Sequence, residues 1–266
     1  MRRLVLLGAA ILVILVFPSN VSGTPGNFIL QGDEMYDNWG LCRSRAWGED
    51  GFFQIADDTF RPAIAFESLG ELKDVAWEVG QRLARQYPDR NQLAEKIFAY
   101  GRDHVRYTSD LDQFGMEEFA RNADETAWEI ESLGFSRGDC EDYAVLLAVM
   151  YRAAGFRSAV VLAPGHAATL VHLPDYPRAN VYWNFEDTGG WIWAEGTGRT
   201  NPLGWTPPEF MDSDLVAYEI TEEENIFGIG RSGMIMSSGG GGPPIGFSSF
   251  FSVIFFLWLI SAFGRR

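Results

Sequence analysis

Apolar residues along this chain keep two rhythms. Between Leu72 and Gln86, the positions Leu72, Val75, Val79 and Leu83 recur at the spacing of one helix face, and Pro88-Asp89 ends the pattern. A second helix is predicted from about Asn91 to Tyr107, with Asn91 as N-cap and Leu93, Ile97, Tyr100 and His104 on one stripe. The strongest signal runs from Glu141 to Ala154, where Tyr143, Leu146, Leu147, Met150 and Tyr151 share a face and Gly155 is the expected stop. The rhythm then changes. Residues 158–163, 166–173, 181–185 and 191–194 read as strands, separated by Pro164-Gly165, by Pro174 to Pro177 and by Asp187-Thr188-Gly189-Gly190. Residues 27–68 suggest irregular structure or short strands. Residues 108–137 read as a long polar, acidic connection with one short helix, and residues 196–235 as a Gly- and Pro-rich stretch. Helices followed by a run of antiparallel strands predict an α+β fold, with helices packed on a small antiparallel sheet.

Both ends break these rhythms. Residues 1–26 open Met1-Arg2-Arg3, run apolar from Leu4 to Phe17 and exit through Pro18 and small residues. That is the pattern of a secretory signal, with an uncleaved N-terminal anchor as the alternative. Residues 236–244, rich in Gly and Pro, read as a flexible tether. Ile245 to Phe263 then carries no charge and is followed by Gly264-Arg265-Arg266. As a helix it would be roughly 28 Å long, about one hydrocarbon core. A transmembrane helix with its arginines in the cytoplasm is expected here; a buried C-terminal helix is the alternative. Either reading of the first segment leaves residues 27–235 outside the cytoplasm, in one domain.

Composition narrows the partners. Of the 266 residues 47% are hydrophobic, which permits a sizeable core. The chain holds 36 acidic against 21 basic residues, a net charge of −15, and that field repels phosphate backbones. Nucleic acid is therefore not an expected partner. The two cysteines and three histidines lack zinc-type pairing, so neither a metal nor a cofactor is expected.

The remaining chemistry centres on Cys140, in Ser136-Arg137-Gly138-Asp139-Cys140-Glu141-Asp142 at the start of the strong helix. Free N–H groups at a helix N-terminus favour an anion, so a thiol there ionises more readily. Glu141 and Asp142 oppose this, and a nearby imidazolium would restore it. Chain geometry selects the histidine. The helix leads away from Cys140 over roughly 21 Å and the next strand returns over about 20 Å, so the Pro164-Gly165 turn brings His166 back beside Cys140. His172 reads as a half-buried strand residue and His104 as a packing residue. A catalytic histidine needs an acceptor for its other ring nitrogen. A strand meander returns Glu195 to that edge, with Glu186 and Asp187 as weaker candidates. In an exported chain, a disulfide between Cys42 and Cys140 is the competing use of the two thiols.

The segments Gly138-Asp139-Cys140-Glu141-Asp142-Tyr143-Ala144, Leu146-Leu147, Arg152-Ala153-Ala154-Gly155-Phe156, Pro164-Gly165-His166-Ala167 and Trp193-Ala194-Glu195-Gly196-Thr197 together resemble the transglutaminase-like superfamily, in particular its microbial, membrane-linked members. The likeness covers about residues 72–206. It implies a papain-like fold with Cys140 as nucleophile, His166 as general base and Glu195 as third member, and it counsels against the disulfide. Two departures stand out. Glu195 is followed by Gly196-Thr197 where the family often has Asp or a Glu-Thr-Thr run. Ala167-Ala168 stand where crosslinking members often carry Trp. The expectation is a membrane-anchored, extracytoplasmic thiol enzyme acting on peptide or side-chain amides of a protein or peptide substrate. The alternative is a non-catalytic surface module of the same fold, used for binding or cell-envelope assembly.

Overall fold

The computed structural model describes residues 28–37, 40–56, 59–62, 74–185, 187–213, 215–220 and 231–237. Strands β1 (Ile29–Gln31), β2 (Glu34–Tyr36), β3 (Cys42–Gly48), β4 (Gly51–Ala56) and β5 (Thr59–Pro62) lie side by side in that order, so residues 27–68 do hold short strands. Helix α1 (Val75–Gln86) follows at the expected place. Helix α2 (Arg90–His104) starts one residue before Asn91, because the Asp89 carboxylate accepts the Gln92 N–H at 2.8 Å and takes the capping role. It also stops earlier than predicted. Val105–Tyr107 is a strand, β6, paired in parallel with β7 (Ser136–Gly138).

The connection read as loop with one short helix holds two, α3 (Asp110–Phe114) and α4 (Ala123–Leu133). Helix α4 is opened by a capping box: Asn122 accepts the Glu125 N–H at 3.0 Å, and Glu125 accepts the Asn122 N–H at 2.9 Å. Helix α5 (Cys140–Ala153) is buried over most of its length, and Gly155 ends its last turn at φ 83°.

Strands β8 (Ser158–Ala163), β9 (His166–His172), β10 (Trp183–Phe185) and β11 (Thr188–Ala194) follow, close to the predicted positions. The expected small sheet is in fact a closed barrel, ordered β10-β11-β9-β8-β12-β13. Two unpredicted strands, β12 (Leu215–Glu219) and β13 (Arg231–Ser237), complete the circuit, and β13 pairs with both β12 and β10. Strand β12 also pairs with β8 and β13 with β10, partners far back in the sequence, so no turn signal ties them to those neighbours. Strand β13 also includes Met236 and Ser237, which the sequence reading assigned to the tether.

The strand period of two divides the apolar residues between two cores. Ala168, Leu170, Trp183, Trp191 and Trp193 fill the barrel, while Ala167, Val171, Ile192 and Ala194 face the helices. Helix α5 lies against β9, and α1 lies against α5. The second contact is close enough that a Cβ on Gly80 would stand 2.5 Å from the Met150 carbonyl oxygen. Cys42 and Cys140 are both free. The segments read as signal, as membrane helix and as most of the tether lie outside the described residues. Among the described residues, no helix is long and apolar enough to cross a membrane.

One buried cation joins the N-terminal sheet to the helical layer. The Arg43 guanidinium is inaccessible to solvent. Its Nε meets Asp37 Oδ2 at 2.7 Å, and its Nη1 meets Glu125 Oε2 at 3.0 Å and the Ala120 carbonyl at 2.9 Å. Such a group is stable only while every partner is in place. Arg43→Met, which leaves buried carboxylates short of a counter-charge, should lower the free energy of unfolding by about 3–5 kcal/mol in urea denaturation.

Candidate active site

Cys140 is the first residue of α5, and the Asp139 side chain does not cap that helix. The backbone N–H groups of its first turn have no acceptor within the helix and surround the thiol with positive dipole ends. Gly138 is required just before it, since a Cβ there would collide with the Asp142 carboxylate.

The β8–β9 hairpin delivers the histidine. Ala163 pairs with His166 across the Pro164-Gly165 turn, with Gly165 at φ 67°. This end of the hairpin meets the start of α5, where the Cys140 thiol is near enough to act electrostatically on the His166 ring while its Sγ donates to Glu141 Oε2 at 3.5 Å. Strand β11 runs antiparallel beside β9 with Ala194 opposite Thr169, so the chain leaving β11 heads for His166. Glu195 Oε2 sits 2.7 Å from His166 Nε2, which leaves Nδ1 to the thiol.

The Glu195 carboxylate is buried and has four donors. Oε2 also accepts the Trp193 Nε1–H at 3.2 Å, and Oε1 accepts the Thr197 N–H at 3.1 Å and the Thr197 hydroxyl. Gly196 makes that return possible, because a Cβ there would stand 2.7 Å from Tyr143 Cδ1 on α5. Glu195-Gly196-Thr197 therefore works as a unit: a carboxylate, a residue thin enough to pass the helix, and a donor for the second oxygen.

Electrostatics follow from these contacts. Burial works against charge on His166 but is outweighed by its interaction with Cys140, its hydrogen bond to Glu195 and the negative charge of both, and the ring is pushed up to about 10. Burial likewise raises Glu195, yet the His166 and Thr197 bonds prevail and hold it below the usual carboxylate range. Stability from the raised histidine is therefore complete below its ordinary 6.5 and is lost as pH climbs through about 10.

Glu141 and Asp142, which follow the thiol, hold their protons more tightly than ordinary carboxyl groups. Burial, followed by a bond to Asp139 and the negative charges around it, raises Glu141 well above its usual range; its Oε2 lies 3.5 Å from Cys140 Sγ. Burial and nearby carboxylates push Asp110 up to about 8, Glu118 to about 7 and Asp142 to about 7. Arg121 restrains Asp142: its backbone N–H donates to Oδ1 at 3.2 Å, and its Nε lies 3.6 Å from Oδ2. The sets Asp110–Asp139–Asp142 and Asp110–Glu118–Glu141 each bring one oxygen per residue within 4.8 Å of the others, a spacing compatible with shared protons or with a cation.

Cys140, His166 and Glu195 thus converge, while the other candidates lie elsewhere. His172 bonds the Gly189 carbonyl at 3.0 Å at the far end of β9. His104 ends α2 and bonds the Tyr100 carbonyl at 2.9 Å. Asp187, at φ 59° in the β10–β11 turn, is at the opposite end of β11 from Glu195, and Glu186 lies outside the described residues. Three neighbours of the site were not anticipated. Arg121 lies in what reads as a polar connection, and Trp193 reads as an ordinary strand residue. Phe210, on the short 3-10 turn Pro208–Phe210, stacks on the imidazole with ring centroids 5.4 Å apart. Nothing in local spacing marks any of them.

Residues 78–208 match the family model of the transglutaminase-like superfamily, and that span contains Cys140, His166, Glu195 and most of the fold that positions them. Residues 78–208 of this chain belong to the transglutaminase-like superfamily. No curated protein matches it. The N-terminal sheet and strands β12 and β13 lie outside the span shared with the transglutaminase-like model.

Proton NMR of the full chain should find the His166 ring titrating at about 10, far above its ordinary 6.5. Glu195→Gln, which removes the facing negative charge, should bring that midpoint down. A wild-type midpoint near 6.5 would contradict the buried contacts described above.

Proposed function

We propose that this protein is a membrane-anchored, extracytoplasmic thiol enzyme that cleaves or transfers acyl groups of peptide or side-chain amides. The observation that carries the reading is the bridging position of His166. One ring nitrogen is bound to a buried, fully hydrogen-bonded carboxylate, and the ring stands near enough to the thiol at a helix start to interact with it electrostatically. Such a relay holds a proton beside the sulfur and fixes the direction in which it is passed on.

In the proposed cycle, Cys140 Sγ attacks the amide carbonyl carbon and the carbonyl π electrons move to oxygen. The first-turn N–H of Cys140 stabilises that oxyanion. As the C–N bond breaks, the imidazolium gives its proton to the departing amine and a thioester remains. His166 then removes a proton from the acceptor, which attacks the thioester and releases the thiol. We take the acceptor to be water, since Cys140 is partly exposed to solvent. An amine acceptor makes the same site a transamidase, and Ala167-Ala168 after the histidine do not point to crosslinking.

A second reading has one observation in its favour. Asp139 and Glu141 lie against the thiol, and Cys140 Sγ donates to Glu141 Oε2 at 3.5 Å, which directs the thiol proton away from His166. With the thiol held neutral, the fold serves as a non-catalytic surface module for binding or envelope assembly. Alkylation kinetics separate the two readings. For an enzyme, iodoacetamide modifies Cys140 rapidly near neutral pH without prior reduction, and His166→Ala slows this by about 10²-fold. Slow alkylation that is indifferent to His166, or protection until reduction, would overturn the enzyme reading.

The location rests on the sequence of the two ends, with the tether starting beyond β13. A chain cut after Ser238 and lacking residues 1–26 should be recovered in the aqueous fraction, whereas one retaining Ile245 to Phe263 should sediment with membranes. Sedimentation of the shortened chain with membranes would refute the C-terminal anchor.

A further inference from the structure

We propose that Phe210 is a positioning residue for His166, an inference that rests on the enzymatic reading above. His166 shares the strand parity of Ala168 and Leu170, so it stands at the rim of the barrel, beside the start of α5. Phe210 closes that rim. Its ring lies within 5° of parallel to the imidazole at 5.4 Å between centroids, and within 20° of parallel to Trp193 at 5.7 Å. Both distances fall in the range of offset aromatic stacking. Trp193 in turn donates to Glu195 Oε2, the oxygen that binds His166 Nε2. Four side chains thus form a closed loop of contacts: His166 to Glu195, Glu195 to Trp193, Trp193 to Phe210, and Phe210 back to His166.

Each contact restrains a different freedom. The hydrogen bond sets the direction of Nε2 but allows the imidazole to rotate about the N–O line. Parallel stacking removes that rotation and so fixes where Nδ1 points, toward the sulfur. The phenyl face also attracts an imidazolium more than a neutral imidazole, by the attraction that draws other cations to aromatic faces. Its bulk keeps water off the His166–Glu195 bond, which strengthens that bond in the less polar surroundings. The short turn that carries Phe210 is well suited to the task, because the Phe210 N–H donates back to the Pro207 carbonyl at 3.0 Å and holds the turn to the ring.

The test uses the full-length protein with Phe210→Ala, Phe210→Leu and Phe210→Tyr, and two readouts: the pH profile of Cys140 alkylation by iodoacetamide, and the NMR titration of the His166 ring. Phe210→Ala should slow alkylation near neutral pH by about tenfold, the scale of a modest misplacement of a reacting group. It should also move the ring midpoint away from its wild-type value of about 10. Phe210→Leu keeps apolar bulk under the turn without an aromatic face, and should show both defects; Phe210→Tyr should restore both readouts. If Phe210→Leu or Phe210→Ala matches wild type in the ring titration and the pH profile, the phenyl ring is only filler and the proposal fails. A wild-type Cys140 that alkylates slowly, with no dependence on His166, would count against the enzymatic reading, whereas a reactive wild type with an unaffected Phe210→Leu would count against the positioning role alone.

Discussion

A negative charge removed from water must be compensated on the spot, and the Glu195 carboxylate meets that demand with four donors around two oxygens. Two of them come from Thr197, one from the barrel and one from the ring that faces the thiol. Remove the compensation and the carboxylate would take up a proton, the ring would lose its anchor, and the thiol would face a freely rotating imidazole. Much of the surrounding architecture serves this arrangement. Gly196 lets the chain pass Tyr143, the register of β11 on β9 brings Glu195 to the correct edge, and Phe210 covers the result.

The same physics acts in the opposite direction around the start of α5. Asp110, Glu118, Glu141 and Asp142 are crowded together where burial penalises each charge, and all four are held above the usual carboxylate range. The two sets of acids differ in their donors. Glu195 has a full complement, whereas buried oxygens of Asp110, Glu141 and Asp142 have no hydrogen-bond partner. Protonation of that group reduces the negative field on Cys140, which explains how a thiol flanked by two acids in sequence can sit beside an imidazole that stays charged.

The helical half of the fold was largely legible. Helix α5 and strand β8 announce themselves by dense apolar periodicity and clear stops, and their lengths alone return His166 to Cys140. The misses share a cause. Helix α4 was hidden because its N-terminal signal, the Asn122–Glu125 box, sits inside an acidic segment with weak periodicity. The last two barrel strands were missed because β12 is set among Gly-, Pro- and acid-rich segments and β13 is followed by the glycine run, while β8 and β10, which they pair with at the barrel's closure, lie far back in the sequence.

By itself, the order of residues determined the placement of a thiol at a helix start, a histidine one hairpin later and a carboxylate at the end of the next returning strand. Those are consequences of the fixed rise per residue of helix and strand, which local pattern is enough to read. Closure of the barrel, the stacking of Phe210 on the ring, the Arg121 restraint on Asp142 and the raised proton affinity of the crowded acids were decided only in three dimensions. Each depends on which groups share a dry space, and burial is a property of the assembled layers that no local spacing encodes.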